Sequence, residues 1–453
     1  MITSIRLVNF KNFADETLRV GPFTVIVGAN ASGKSNIRDA FRFLHGIGRG
    51  YTLAEIIGGK YGPGGQREWE PIRGVANEII RFGQEMFSIE VEMKLDDERA
   101  YPEKAHYMIE IGPHKRNPGE FQIKKENLKV ESETIYIAHS DGENLMVRGA
   151  WDKEQKEILL ESNQATLRQL MKYFRVEAVR NKISVELISM MGWINYILSD
   201  IHFPELSPDR MREPSLPGAE MLGNFGENLP TALEEICTDP RRKKILTSWI
   251  HELTPMDVQE FEFPLDPSGR IHLMLCEANG RKVSAYSASD GTLRFLAMLA
   301  TLLGKNPRSL YFFEEIDTDI HPARLHLLMD LIERQTAKQG IQVITTTHAP
   351  TLLTVMNDQT FENTSIVCRL EDSSDSIIRP VVDLPNVREL RQDQGLGRLH
   401  ESGWMETALY FTEDYDEKDF VAVDRLRDKM RDNNPNYAET QILKAVAEVN
   451  AKS

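Results

Sequence analysis

The sequence predicts an α/β fold organised around a phosphate-binding loop, and three stretches predict it. Gly28-Ala29-Asn30-Ala31-Ser32-Gly33-Lys34-Ser35 fits the pattern GxxxxGK[ST] at every fixed position. Leu310-Tyr311-Phe312-Phe313-Glu314-Glu315 is an apolar strand ending in two adjacent acids. A further apolar strand, residues 341–348, ends in His348.

The first stretch has the right flanks. Phe23 to Val27 is a β-branched apolar run that reads as a buried strand, and from Asn36 onward Ile37, Phe41 and Leu44 keep helical spacing. Strand, loop and helix in that order turn backbone N–H groups and a helix N-terminus onto phosphate oxygens. Gly28, Asn30, Ala31, Ser32, Gly33 and Asn36 form the cradle, Lys34 reaches the β- and γ-phosphates, and the Ser35 hydroxyl ligates Mg²⁺. A chance Gly/Ser turn would not be expected to bring both flanking elements with it.

Composition sets the bounds. With 453 residues the chain has room for two or three domains, or for one large domain carrying insertions, and 41% hydrophobic with 27% charged residues is ordinary for a globular protein. No apolar run approaches the ~20 residues needed to span a bilayer. No basic region followed by a long apolar core opens the chain, so a cytoplasmic location is expected. Cys237, Cys276 and Cys368 lie far apart, which argues against a disulfide framework or a zinc site. The net charge of −15 argues against a broadly basic nucleic-acid surface.

In chain order, residues 5–10 alternate as a strand, and residues 46–74 are glycine-rich, a long loop that is either a binding element or a surface insertion. Residues 87–147 form an antiparallel β-meander. Its bases (Lys104, Lys115, Arg116, Lys124, Lys125, Lys129) are interspersed with acids, which suits a solvated edge better than a DNA track. Residues 151–199 read as helical, with Leu159, Leu160, Leu167, Leu170 and Met171 on one face and Ile188, Met191, Ile194, Tyr196 and Ile197 on another. A proline-rich linker covers 203–217, a helix 224–237, then two further helices and a strand near 271–275. This divides the chain into an N-terminal lobe (1–150), a mainly helical insertion (151–280), a C-terminal lobe (281–385) and a helical, acidic tail (386–453).

Within the C-terminal lobe, Ser289-Asp290-Gly291-Thr292 precedes an apolar helix, either as an anion-binding turn or as an ordinary N-cap. Glu314 and Glu315 are adjacent on a strand, so they point in different directions and can divide the work: one on the Mg²⁺ shell, one orienting water. His348 closes a parallel strand, where α/β folds place ligand groups.

Together these motifs resemble the ATPase head of the ABC-type family that includes the RecF and SMC proteins and the ATPase half of the OLD nucleases. Asn9-Phe10-Lys11-Asn12-Phe13 is similar to the segment beside the nucleotide base, which implies that Lys11 and Asn12 contact the cofactor. Gly28 to Ser35 is the Walker A, Ser289 to Thr292 resembles the signature motif with Ser289 and Gly291 as contacts, and 310–315 resembles the Walker B with Glu314 where many relatives have aspartate. Residues 317–322 occupy the D-loop position, His348 that of the switch histidine, and Gln66, Gln84 and Gln164 are candidates for the Q-loop. The long coiled coil of SMC proteins is absent, and fewer than a hundred residues follow Thr354, too few for a Toprim nuclease domain. The acids at 413, 414, 416, 417 and 419 read as a solvated run.

The resemblance implies ATP and Mg²⁺ as cofactors, Glu315 and His348 as catalytic groups, Ser35 and Glu314 as metal ligands, and a homodimer or higher oligomer that sandwiches ATP. By analogy with stand-alone ATPases of bacterial anti-phage defence, it also implies a separately encoded effector such as a nuclease. The alternative is a DNA-repair or recombination ATPase that binds DNA directly. A transporter subunit is disfavoured by the meander and the Glu-Glu strand end.

Overall fold

The computed structural model describes residues 1–95, 104–114, 116–117, 119–151, 156–178, 185–253, 258–369 and 374–410. Lys115, the acidic run at 413–419 and the terminal helices expected at 424–452 lie outside the described residues.

Strand β1 (Ile2–Phe10) and β2 (Phe13–Arg19) form a hairpin, β3 (Phe23–Val27) leads into the phosphate loop, and helix α1 (Lys34–Arg49) follows it. Helix α2 (Leu53–Gly58) and a small hairpin, β4 (Lys60–Tyr61) with β5 (Arg67–Trp69), precede the meander. The meander is β6 (Phe87–Lys94), β7 (Lys104–Pro113), β8 (Phe121–Val130), β9 (Glu133–Ser140), β10 (Asn144–Gly149) and β11 (Ile158–Glu161). With β1 and β2 it makes one antiparallel sheet ordered β11-β10-β9-β8-β7-β6-β1-β2. Alternation sets its buried face: Phe87, Ile89, Val91 and Met93 point inward and Glu92 and Lys94 outward.

Helices α3 (Thr166–Ala178) and α4 (Val185–Ser199) lead to β12 (Ile201–His202), α5 (Pro208–Met211), α6 (Leu229–Thr238) and α7 (Pro240–Leu253). A three-stranded sheet of β13 (Val258–Glu262), β14 (Met274–Glu277) and β15 (Lys282–Ser284) precedes α8 (Asp290–Leu303). Then come β16 (Leu310–Glu314), α9 (Pro322–Gln339), β17 (Gln342–Thr347), β18 (Thr364–Arg369) and β19 (Ser376–Pro380). The second main sheet is ordered β12-β16-β17-β3-β18-β19, parallel except for its last strand.

This sheet is covered on both faces, which is why its strands are continuously apolar rather than alternating. Ile26, Phe312 and Ile344 pack with α1 and the antiparallel sheet. Val25, Val27, Tyr311, Phe313 and Val343 pack with α8 and α9. The buried Gln342 side chain ties the two sheets, with its oxygen accepting from the Ile2 N–H and its nitrogen donating to the Ile2 and Gly21 carbonyls. No helix among the described residues is long and apolar enough to cross a membrane.

Three expectations need correction. Residues 151–199 are not helical throughout: Leu159 and Leu160 lie in β11, opposite Met146 and Leu145, because pairing to the open edge of the meander outweighs a local helical pattern. One helix, α7, follows α6 where two were expected, and the chain then forms β13 against β14. Finally, 46–74 is not one loop. Helix α1 continues through Gly46 and Gly48, where a Cβ on Gly48 would lie 2.5 Å from the Ser199 nitrogen, so the glycines permit close helix packing. A capping box between Thr52 and Glu55 then starts α2.

Glu126 is fully buried on β8, facing the N-terminus of α3. Its carboxylate accepts from the Thr166 N–H (2.7 Å), the Leu167 N–H (3.1 Å), the Tyr136 hydroxyl (2.8 Å) and the Tyr107 hydroxyl (3.1 Å). It therefore joins the meander to the helical layer by satisfying α3's first N–H groups. Elsewhere on the sheet, Lys125 and Arg116 pair with Glu110 and Glu143.

Candidate functional site

The carboxyl ends of β3, β16 and β17, neighbours in the order β16-β17-β3, open into one cleft of about 390 Å³. Residues 30–36 line it together with Glu314, Glu315 and Thr346. This is where open parallel sheets place ligands.

The loop's shape follows from its residues. A Cβ on Gly28 would lie 2.2 Å from the Val367 carbonyl oxygen, so only glycine fits between β3 and β18. Ala31 (φ 63°) and Gly33 (φ 112°) turn the chain in the left-handed region, and α1 then starts without a side-chain cap. An uncapped helix N-terminus leaves donors and a positive dipole end for an anion. Lys34 is buried and folded back, donating to the Gly28 (2.6 Å) and Ala29 (2.8 Å) carbonyls. Burial pulls its pKa down, and attraction to Glu315 and Glu314 opposes that shift.

The two acids face different partners, although for a reason other than strand alternation. Glu314 ends β16, and its Oε1 accepts from the Ser35 hydroxyl at 3.1 Å. Glu315 lies just beyond the strand with φ 48°, and this backbone turn sends its side chain to His348, whose Nδ1 is 3.1 Å from Oε1. Behind the pair, Asp317 accepts from the Thr347 hydroxyl (3.1 Å), and burial raises its pKa.

Two residues that the sequence did not single out complete the polar wall. Arg73 donates to Glu314 Oε1 (3.1 Å), to the Ser35 carbonyl (2.8 Å) and to Asp39 (3.3 Å). Burial would lower the Arg73 pKa, but Asp39 and Glu314 more than offset this and raise it. Arg38, buried on α1, lies 3.5 Å from Glu314 Oε2 and pairs with Glu205. Arg38 and Asp39 follow Ser35 at helical spacing, a signal that the sequence does hold. Arg73 sits in a stretch without periodicity and carries none.

Lys11 and Asn12 are near the loop but outside the lining of the cleft. The Lys11 ammonium donates to Asp39 (2.5 Å) and to the Arg73 carbonyl (2.8 Å). Asn12 bridges Ser376 (2.5 Å) and Asn36 (2.7 Å), and its amide would lie 2.8 Å from a Cβ on Gly33.

Ser289 and Gly291 are not among the residues lining this cleft. Ser289 caps α8, accepting from the Thr292 N–H (3.2 Å), while Gly291 packs so closely on the D-loop-like segment that a Cβ would lie 2.5 Å from the Asp319 carbonyl oxygen. Arg294 pairs with Asp319 (3.1 Å) across the same contact. None of the three glutamines lines the cleft either: Gln66 is exposed beside the β4–β5 hairpin, Gln84 is exposed, and Gln164 donates to the Gly50 carbonyl at the far end of α1.

The donor set fits a magnesium ion carried with a nucleotide. Ser35 and Glu314 present hard oxygens 3.1 Å apart, and no group of three or more metal-binding His, Cys, Asp or Glu side chains occurs among the described residues. Magnesium is held in this way by one or two protein oxygens plus phosphates and water.

Fold and site together define an α/β domain with a phosphate-loop nucleotide site at the carboxyl ends of its parallel strands. Residues 23–105 and 257–354 match the model of the family described as AAA domain, putative AbiEii toxin, Type IV TA system. These two segments hold the phosphate loop and the strands that carry Glu314, Glu315 and His348.

Among solved structures, the chain is similar to an Smc head bound to the C-winged helix domain of ScpA, at 15% identity over 83% of this chain and 96% of that one (TM-score 0.49). It is also similar to the SMC head domain from Thermotoga maritima, at 15% identity over 84% and 98% (TM-score 0.40). A third is an Smc head with a coiled coil and joint from Pyrococcus yayanosii, at 13% identity over 86% and 99% (TM-score 0.45). No curated protein matches the sequence.

Proposed function

We propose that this chain binds and hydrolyses ATP with Mg²⁺, and that nucleotide drives two heads together and apart to control a separately encoded partner in bacterial defence against phage. The observation that carries this reading is the separation of two surfaces on one head. Lys34, Ser35, Glu314 and Glu315 share one cleft, whereas Ser289 and Gly291 are outside its lining, with Gly291 packed against the D-loop-like segment. A second copy would bring its Ser289 and Gly291 to the phosphates bound here.

In this reading the loop N–H groups and Lys34 hold the phosphates, and Asn12 and Lys11 brace the loop from the base side. Ser35 and Glu314 hold Mg²⁺, which would neutralise phosphate charge. Glu315 accepts a proton from water, and the Nδ1 contact of His348 orients that carboxylate. The family description, a type IV toxin–antitoxin system, supports a partner encoded apart from this chain.

Complementation tests the arrangement. Lys34→Ala removes a charge-assisted phosphate contact and should abolish ATP binding by calorimetry. Ser289→Arg should bind ATP but not turn it over. Mixing the two leaves one intact composite site per mixed dimer, so ATPase activity should reappear. Full activity of dilute Ser289→Arg would reduce Ser289 to a helix cap, and unchanged ATP affinity of Lys34→Ala would remove the phosphate-loop assignment. DNA-stimulated turnover without any co-purifying protein would instead favour direct DNA binding.

A further inference from the structure

Arg73 donates to the very oxygen, Glu314 Oε1, that also accepts from Ser35. A divalent cation held by these two residues needs that oxygen at about 2.1 Å, and it carries the same sign of charge as the guanidinium beside it. Like charges drawing on one oxygen weaken each other's hold on Oε1. We propose that Arg73 is a positioning residue that competes with the divalent cation for Glu314, so that the metal binds only as the guanidinium withdraws. This rests on the reading of Ser35 and Glu314 as the metal site.

The surroundings are built for such an exchange. Arg73 already donates its Nε to Asp39, so a guanidinium that leaves Glu314 keeps a buried acidic partner and is not stranded. Its main chain is held while the side chain moves, because Lys11 donates to the Arg73 carbonyl. Gly74 follows at φ 91°, a turn that residues with a Cβ rarely adopt, and the segment is fastened again where the Lys11 N–H meets the Ile79 carbonyl (2.8 Å). Competition also gives a reason for the pairing with glutamate: its longer side chain reaches Ser35, Arg73 and the vicinity of Arg38 at once. The outcome is selectivity. A cation arriving with a nucleotide, which contributes its own oxygens, can displace Arg73, whereas a bare cation meets a site already neutralised.

Mn²⁺ binding, followed by electron paramagnetic resonance on the full chain without nucleotide, tests this directly. Arg73→Ala should bind Mn²⁺ about two- to fivefold more tightly than the parent protein, the scale of one half-exposed ion pair. Arg73→Lys, which keeps the charge, should restore most of the weakness. Adding Glu314→Gln to Arg73→Ala should remove the gained site, which locates it. Equal Mn²⁺ affinity in the parent and Arg73→Ala proteins, including no detectable binding in either, overturns the proposal, and weaker binding in Arg73→Ala shows that Arg73 assists the metal instead. A gained site that survives Glu314→Gln points to failure of the metal-site reading itself.

Discussion

His348 Nδ1 lies 3.1 Å from Glu315 Oε1 across the carboxyl ends of two adjacent parallel strands. The Glu315 backbone N–H also donates to Thr346 Oγ1 (3.2 Å), so both main chain and side chain of this glutamate are tied to β17. A glutamate held by its main chain and by its carboxylate, at the edge of the phosphate cleft, is pre-oriented for proton transfer.

Glu315→Gln should therefore keep ATP binding and lower turnover by ~10² or more, measured as phosphate release at saturating ATP. His348→Ala should reduce turnover by a smaller factor, because the carboxylate survives without its orienting partner. If Glu314→Gln stops hydrolysis while Glu315→Gln does not, the two acids have exchanged roles.

Ala31 sits at φ 63°, where an L-residue with a Cβ is strained. Ala31→Gly should stabilise the fold by about 0.5–1 kcal/mol, the relief of that strain less the extra freedom of the unfolded chain. In a chain of this size the gain corresponds to a rise in Tm of about 1 °C, within reach of calorimetry. A lower Tm would show that the loop needs the methyl group.

Glu126 should give the meander a pH-dependent stability. Burial raises its pKa, and the two N–H donors of α3 pull it back only in part. A carboxyl whose folded pKa exceeds its unfolded value contributes stability that is full below the unfolded pKa, about 4.3, and is lost as pH rises through the folded value. The difference in unfolding free energy between the parent protein and Glu126→Gln should therefore shrink from about pH 4 upward and then level off. Urea titrations at several pH values measure it, and a difference that grows with pH would reverse the assignment. Glu126→Ala, which leaves two N–H groups and two phenols without their acceptor, should cost about 3 kcal/mol or more at neutral pH.

The parts of the site that were legible in the sequence are those fixed by local chemistry. Gly28, Gly33, Lys34 and Ser35 declare themselves through spacing alone, and the continuous apolar runs of β3, β16 and β17 announce a sheet covered on both faces. Glu126 was not legible, because it stands among Lys124, Lys125 and Lys129 in a strand of charged residues, and only the packing of α3 turns it inward. Arg73 was hidden for a different reason: its partners come from three separate stretches, around Lys11, on α1 and at the end of β16, and nothing near it in the chain has a period. The Leu159-Leu160 pair suits helix or strand equally, and the free edge of β10 decided between them. Ser289 caps α8, one of the two readings that its place ahead of an apolar helix allowed.

The order of strands in the parallel sheet also governs how the protein can be made. β3 is finished by residue 27, yet its two neighbours in the sheet are β17 and β18, made only from residues 342 and 364 onward. The antiparallel sheet, by contrast, pairs mostly consecutive strands and is complete by residue 161. On a ribosome the meander can close early, while β3 waits for three quarters of the chain before either neighbouring strand exists. Long-range pairing of this kind is slow and leaves strand edges open in the interval. Nascent chains halted between α4 and α9 would accordingly resist protease across the meander and be cut at the loop, and nucleotide could protect them only after β17 has emerged.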